Sequence, residues 1–220
     1  MAKVGVSVID ALRHDVLSGT WRPGERLPLA ELAEQYNTST TVVREALSRL
    51  AGDGLVTNPT NRGFFVKELH LRELSDLTEL RCVSEALAAE LSLARGDVQW
   101  ESELVSVHHQ LARTPRRDPH DPSHLNTEWQ VLHKAFHAKV LSACDCQPMI
   151  KLAADLSNAT ELYRAWAAPS VAAGARDVEK EHQEILDAAL ARDSQRLAQL
   201  LREHYEATVK VVLDSGLVQD

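Results

Sequence analysis

The sequence predicts a mainly α protein: an N-terminal winged helix-turn-helix followed by an all-helical bundle of six to seven helices. Three observations carry that expectation. Apolar residues recur at helical spacing along most of the chain, and β-prone runs are confined to two short pieces between residues 55 and 66. Aromatic residues make up only 5% of the composition, while Leu, Ala and Glu, which favour helices, are abundant.

From Val6 to Leu17, the residues Val8, Ile9, Leu12, Val16 and Leu17 keep helical spacing until Gly19 stops the run. "TWRPGERLP" follows as a turn, with Pro23-Gly24 inside it and Pro28 behind it. "LAELAEQY" reads as a short helix. In "NTSTTVVREALSRLAGDG", Thr38 or Ser39 caps a helix whose apolar stripe is Val43, Ala46, Leu47 and Leu50, with Gly54 as the stop. "LVT" and "FFV" then flank a polar loop containing Pro59 and Gly63, which is hairpin chemistry. Helix, short helix, capped helix and hairpin, in that order, make a winged helix-turn-helix.

Beyond Lys67 the strand signals end. Six helical segments are expected, at roughly 71–95, 98–113, 122–143, 147–167, 175–191 and 193–213, with breaks at "RGD", "TPRRDPHDPS", Pro148, "APSVAAGA" and Asp193. Two domains result, residues 1–70 and residues 71–220, with 67–73 as the hinge.

The whole chain of 220 residues carries a formal charge of −8, with 44% hydrophobic and 25% charged residues, as an ordinary globular protein does. The charge is uneven. Residues 1–67 hold eight Lys and Arg against seven Asp and Glu, so they are slightly positive within an acidic molecule, and this part can approach a polyanion. No apolar run is long enough to cross a bilayer, and the N-terminal segment lacks a signal peptide's apolar core. A cytoplasmic location without membrane association is expected, and the odd number of cysteines, Cys82, Cys144 and Cys146, fits a reducing compartment.

On the capped helix, the face opposite the apolar stripe carries Thr40, Thr41, Arg44, Glu45 and Ser48. The Arg44 fork suits a guanine edge or a phosphate, and Thr38, Ser39 and Thr41 lie where hydroxyls and free N–H groups of a helix N-terminus meet a phosphate. Arg49 extends the basic surface, one turn beyond Glu45 with which it can pair, and Arg62-Gly63 forms the wing tip. In the second domain, "EWQVLHKAFHAKVLSAC" sets His133 and His137 four apart, on one helical face and within reach of a common ion. A packed or exposed pair is the plainer reading of that spacing taken alone.

"PGERLPLAELAEQYNTSTTVVREALSRLAGDGLV", followed by "NRGFFV", closely resembles the DNA-binding domain of GntR-type bacterial transcription regulators. "ELRCVSEALAAELS", "LHKAFHAKVLSAC", "EHQEILDAALARD" and "LREHYEATV" resemble the all-helical ligand-binding domain, called FCD, of the FadR branch of that family. The resemblance implies a ligand-responsive regulator, a repressor by family habit, that binds double-stranded operator DNA as a homodimer. It also implies a divalent metal held by His137, His182 and His204, with His133 where relatives usually have Asp. Imidazole ligands suit zinc, with nickel or iron as alternatives. A site one negative charge poorer favours an anionic ligand, so a small carboxylate effector is expected. Arg81 is its first candidate partner, against a surface pair with Glu85, and Tyr163, Arg164 and Asn158 follow. His70, His108, His109, His120 and His124 read as solvated. One departure from the family lies at Thr40, where relatives commonly carry Arg.

The alternative from another class is a metal-dependent hydrolase with a DNA-binding appendage, since H-x-x-x-H is shared with zinc peptidases. Those place a general-base Glu beside the first histidine, where this chain has Lys134.

Overall fold

The computed structural model describes residues 7–60 and 62–216; Val6, the expected start of the first helix, lies outside them. Helix α1 (Val8–Leu17) is capped by Ser7, whose hydroxyl accepts from the Asp10 amide, and buries Leu12 and Val16. Strand β1 (Arg26–Leu27) leads into α2 (Leu29–Gln35). Helix α3 (Thr40–Gly52) is capped by Ser39, which accepts from the Val42 amide, and buries the expected stripe of Val43, Ala46, Leu47 and Leu50. Strands β2 (Val56–Thr57) and β3 (Phe64–Val66) complete an antiparallel sheet of order β1-β3-β2.

The sequence reading places residues 26–27 in a turn. They instead form an edge strand, because Gly24, at φ +75, lets its N–H reach the Val66 carbonyl at 3.0 Å and so delivers Arg26 alongside Phe65. A two-residue strand has no periodicity to read.

The second half is mainly helical, with one isolated antiparallel bridge, Arg117 to Leu125, in the segment between two helices. Helix α4 (Leu71–Arg95) runs along α11 (Ser194–Asp214), with α5 (Val98–Arg113), α6 (Thr127–Leu141), α7 (Gln147–Ala159) and α10 (Val178–Leu190) packed around them. A 3₁₀ turn, Ser142–Cys144, ends α6. Its core gathers Trp100, Leu104, Phe136, Val140, Ile185, Leu197 and Leu201.

Three boundaries differ from those expected. Helix α6 starts at Thr127, because Asp118 and Asp121 accept backbone amides of residues 120, 121 and 123 and hold the preceding segment in turns. The expected 147–167 helix is interrupted at Thr160, and α8 (Glu161–Ala167) follows as a separate piece. The expected break at 168–175 contains α9 (Val171–Ala175), capped by Ser170. No helix of the described residues is long and apolar enough to cross a membrane.

The two halves meet at α8. Leu162 packs into the N-terminal core with Leu12, Leu47 and Leu50, and the Trp166 indole donates to the Val16 carbonyl at 3.2 Å. Fully buried Tyr163 hydrogen-bonds the His70 backbone and the Glu73 carboxylate, tying down the connecting segment.

Candidate metal centre and nucleic-acid interface

His133 and His137 lie one turn apart on α6, His182 on the first turns of α10 and His204 in the middle of α11. All four are buried, and one ligand atom from each lies within 4.8 Å of the other three. The bundle therefore converges residues up to 71 positions apart onto one point.

Burial holds each imidazole neutral. Desolvation and the neighbouring rings push His133, His137 and His204 well below the usual histidine range, and desolvation lowers His182 to about 3. A neutral imidazole keeps a lone pair for a cation. The surrounding side chains also choose the tautomers. Glu181 accepts from His204 Nδ1 at 2.7 Å and is clamped by Arg176 at 2.6 and 2.7 Å. The Tyr205 hydroxyl donates to Glu85 at 2.5 Å and so accepts from His137 Nδ1 at 3.4 Å. Nε2 of His137 and Nε2 of His182 are buried with no hydrogen-bond partner among the described residues. Two orphaned ring nitrogens in a cage of four imidazoles, backed by a carboxylate–histidine contact, fit a bound divalent ion. His133 completes the cage while stacked on Trp129, ring centroids 4.8 Å apart.

The effector candidates separate into three groups. Arg81 is buried, not on the surface, and its charge is already met: Nε donates to Glu85 at 2.6 Å and the guanidinium lies 4.0 Å over the Tyr205 ring. Arg164 donates to the Thr160 hydroxyl and the Ser157 carbonyl and forms no carboxylate pair among the described residues. Its burial, aided by the charge of Arg81, lowers its pKa to about 10. Arg164 lines a small cavity with His133, His204, Arg116 and Arg176. Arg81, Asn158, Lys134 and His137 line another, of about 140 Å³. Tyr163 belongs to neither cavity: its hydroxyl points to the connecting segment, so its part is to join the halves.

Arg116, Arg176 and the clamping role of Glu181 escape sequence reasoning. Arg116 sits in a stretch that reads as a loop, Arg176 at the start of an expected helix where nothing marks it, and Glu181 is noticed only as a neighbour of His182. His108 is also a correction. It is 7% exposed and packs on Phe136, because α5 turns that face inward. His124, read as solvated, is half-buried and bonds the Ser18 carbonyl at 2.8 Å.

At the other end, α3 presents Thr40, Thr41, Arg44 and Arg49 exposed on one side, and Arg62 stands exposed in the loop between β2 and β3. Gly63 follows at φ +91, a conformation that L residues rarely adopt, and it lets the chain reverse beside Arg26. Ser39 spends its hydroxyl on the helix cap, while Thr38 is half-buried beside it. An exposed helix flanked by a basic wing can lie in a major groove with the wing against the backbone.

Comparison with known proteins agrees with both halves. Residues 5–66 match the family described as "Bacterial regulatory proteins, gntR family", and residues 76–207 match the FCD domain. The HTH-type transcriptional regulator BphR of Paraburkholderia xenovorans is 36% identical over 94% of this chain and 84% of its own length. The Escherichia coli HTH-type transcriptional repressor GlaR is 28% identical over 91% of this chain and 92% of its own. Among solved structures, E. coli McbR/YncC superposes with a TM-score of 0.71 at 22% identity, covering 94% of this chain and 95% of the other, which establishes a shared fold.

Proposed function

The chain belongs to the gntR family of bacterial regulatory proteins, in the branch that carries an FCD domain, and from that premise we propose a metal-dependent, carboxylate-responsive repressor. It is a DNA-binding transcription regulator, and the hydrolase alternative falls with that membership. The chemistry agrees: Lys134, where a peptidase would keep its general base, is committed to Glu161 and Asn158.

In this reading residues 1–70 read the operator and residues 71–220 sense the effector. His133, His137, His182 and His204 hold a divalent ion, with zinc favoured by four nitrogen donors. Bound there, the ion would supply a positive centre that attracts an anionic oxygen ligand. Four neutral ligands leave its charge uncompensated, so an anion is the complementary partner. Arg164, which lacks a carboxylate of its own, is the residue best placed to meet the effector's carboxylate; Arg81 and Asn158 shape the adjoining cavity. At the other end, Thr38, Ser39, Thr40, Thr41, Arg44 and Arg49 face the major groove, and Arg62 with Gly63 faces the backbone. Two copies bind a pseudo-palindromic operator, since one such module alone confers little specificity. The repressor role draws support from the similarity to GlaR.

The observation that carries the reading is the four-imidazole cage with its two orphaned nitrogens. Native mass spectrometry with elemental analysis tests it. About one zinc ion per chain is expected in the purified protein, lost on His137→Ala or His204→Ala, and weakened roughly 10- to 100-fold by Glu181→Gln, which releases the His204 tautomer. Full retention of metal by both alanine variants would overturn it.

A further inference from the structure

Between the cavity beside the histidines and the DNA-reading half runs one unbroken line of charges. Lys134 follows His133 directly on α6, and its ammonium lines the cavity of about 140 Å³ together with Arg81, His137 and Asn158. Lys134 Nζ donates to Asn158 Oδ1 at 3.0 Å and to Glu161 Oε2 at 2.6 Å. That same carboxylate oxygen accepts from Arg13 Nη1 of α1 at 2.8 Å. The other guanidinium nitrogen of Arg13, Nη2, is paired with Asp53, the residue that caps the C-terminal end of α3. The Glu161 carboxylate, its side chain 6% exposed, thus joins α8 to α6 and α1, and Arg13 carries the connection on to the end of α3.

We propose that Lys134 is the positioning residue that couples the cavity to the recognition helix: an anion entering the cavity draws the ammonium toward itself, and Glu161 and Arg13 then release or re-aim α1 and the end of α3. The proposal rests on the carboxylate reading and extends it from Arg164 into the adjoining cavity that Lys134, Arg81 and Asn158 line. A buried carboxylate shared by two cations depends on both, so weakening one contact changes the other. Lys134 is suited to the part because an ammonium has three donors, of which two are committed here. The second face of Lys134 opens on a cleft of about 320 Å³ between α1 and α6, also lined by Arg13 and Glu161, which gives the charges room to rearrange. Coupling of this sort acts only through the ligand's difference in affinity for the two arrangements.

The test is amide hydrogen exchange on the full chain for wild type, Lys134→Met, which keeps the stem and removes the charge, and Lys134→Arg, which keeps the charge. Succinate serves as the probe, with its binding followed separately by calorimetry. Lys134→Met should accelerate exchange at least fivefold in residues 8–17 and 49–53, leave α10 and α11 unchanged, and be rescued by Lys134→Arg. Wild type saturated with succinate should show the same acceleration, and Lys134→Met should show no further change on adding it. Unchanged exchange in Lys134→Met, or acceleration spread evenly over α10 and α11, would overturn the coupling. So would succinate that binds wild type but leaves α1 undisturbed. Failure of succinate to bind at all would count against the carboxylate reading alone, because the Lys134→Met and Lys134→Arg comparison still decides the coupling.

Discussion

Each imidazole of the cage is taken out of water and turned toward three others, so a proton on any one is opposed by lost hydration, and on His133, His137 and His204 by neighbouring rings as well. The consequence for stability has a definite sign. In the unfolded chain these histidines titrate near 6.5, whereas in the folded chain their pKa values lie well below it, at about 3 for His182. The folded state is therefore fully favoured above pH 6.5 and loses stability as pH falls from there toward the folded values. The limiting slope is about 1.4 kcal/mol per pH unit for each imidazole. Metal-free protein should accordingly melt at markedly lower temperature at pH 5.5 than at pH 7.5, and replacing His182 by Gln should flatten that dependence. A melting temperature constant over this range would show that the cage admits protons freely. At this scale the sequence picked out the four histidines but not the groups around them. Histidines announce themselves by type and spacing, and the resemblance to a known domain linked the distant ones. The partners that fix their tautomers, Glu181, Arg176, Tyr205 and Glu85, are ordinary charged or aromatic residues whose meaning comes only from where three helices cross.

Helix α4 shows what burying charge does to an element. Its inward stripe includes Thr78, Arg81, Glu85 and Ser92 among Leu74, Cys82, Ala88, Ala89 and Leu93, so no clean apolar face marks it as central. Its length was nevertheless legible, since "RGD" stops it where Gly96 closes on Trp100. A Cβ at Gly96 would stand 2.5 Å from the Trp100 ring and 2.8 Å from the Ser92 carbonyl oxygen. Neither can yield easily, because the Trp100 indole donates to the Lys139 carbonyl at 2.9 Å and lies under Arg192. Gly96→Ala should therefore destabilise by about 1–3 kcal/mol in urea titration, as overpacking does, whereas Gly52→Ala, with nothing near the added carbon, should not destabilise. Equal effects would mean that α5 can slide to accommodate the methyl group. Long periodic helices were readable from sequence, and errors gathered where local side chains took over the backbone. Aspartates 118 and 121 delay α6, Thr160 interrupts what periodicity alone reads as one helix, and Ser170 starts a short helix in an Ala- and Gly-rich stretch.

At the scale of the whole molecule, an acidic chain of net charge −8 has to approach a polyanion. Only the slightly positive N-terminal third can do so, and its exposed cations include Arg44 and Arg49 on α3 and Arg62 in the wing, besides Arg22 and Arg26. Each phosphate contact displaces condensed counterions, so affinity falls with salt in proportion to the number of contacts. On a two-fold operator every such contact occurs twice. DNA selected by the protein from a random-sequence pool provides the substrate, and fluorescence anisotropy between 50 and 200 mM salt provides the slope. Arg62→Ala should weaken binding to all sequences alike and reduce the logarithmic salt slope by about two, one phosphate per half-site. Arg44→Ala should instead relax preference at particular base pairs, because an exposed guanidinium on α3 can bond base edges as well as phosphates. Sedimentation equilibrium fixes the multiplicity in the same buffers, with a dimer expected at twice 24.4 kDa. A slope reduced by only one, with a protein sedimenting as a monomer, would put a single module on the DNA. An Arg62→Ala slope equal to wild type would take the wing off the phosphate backbone.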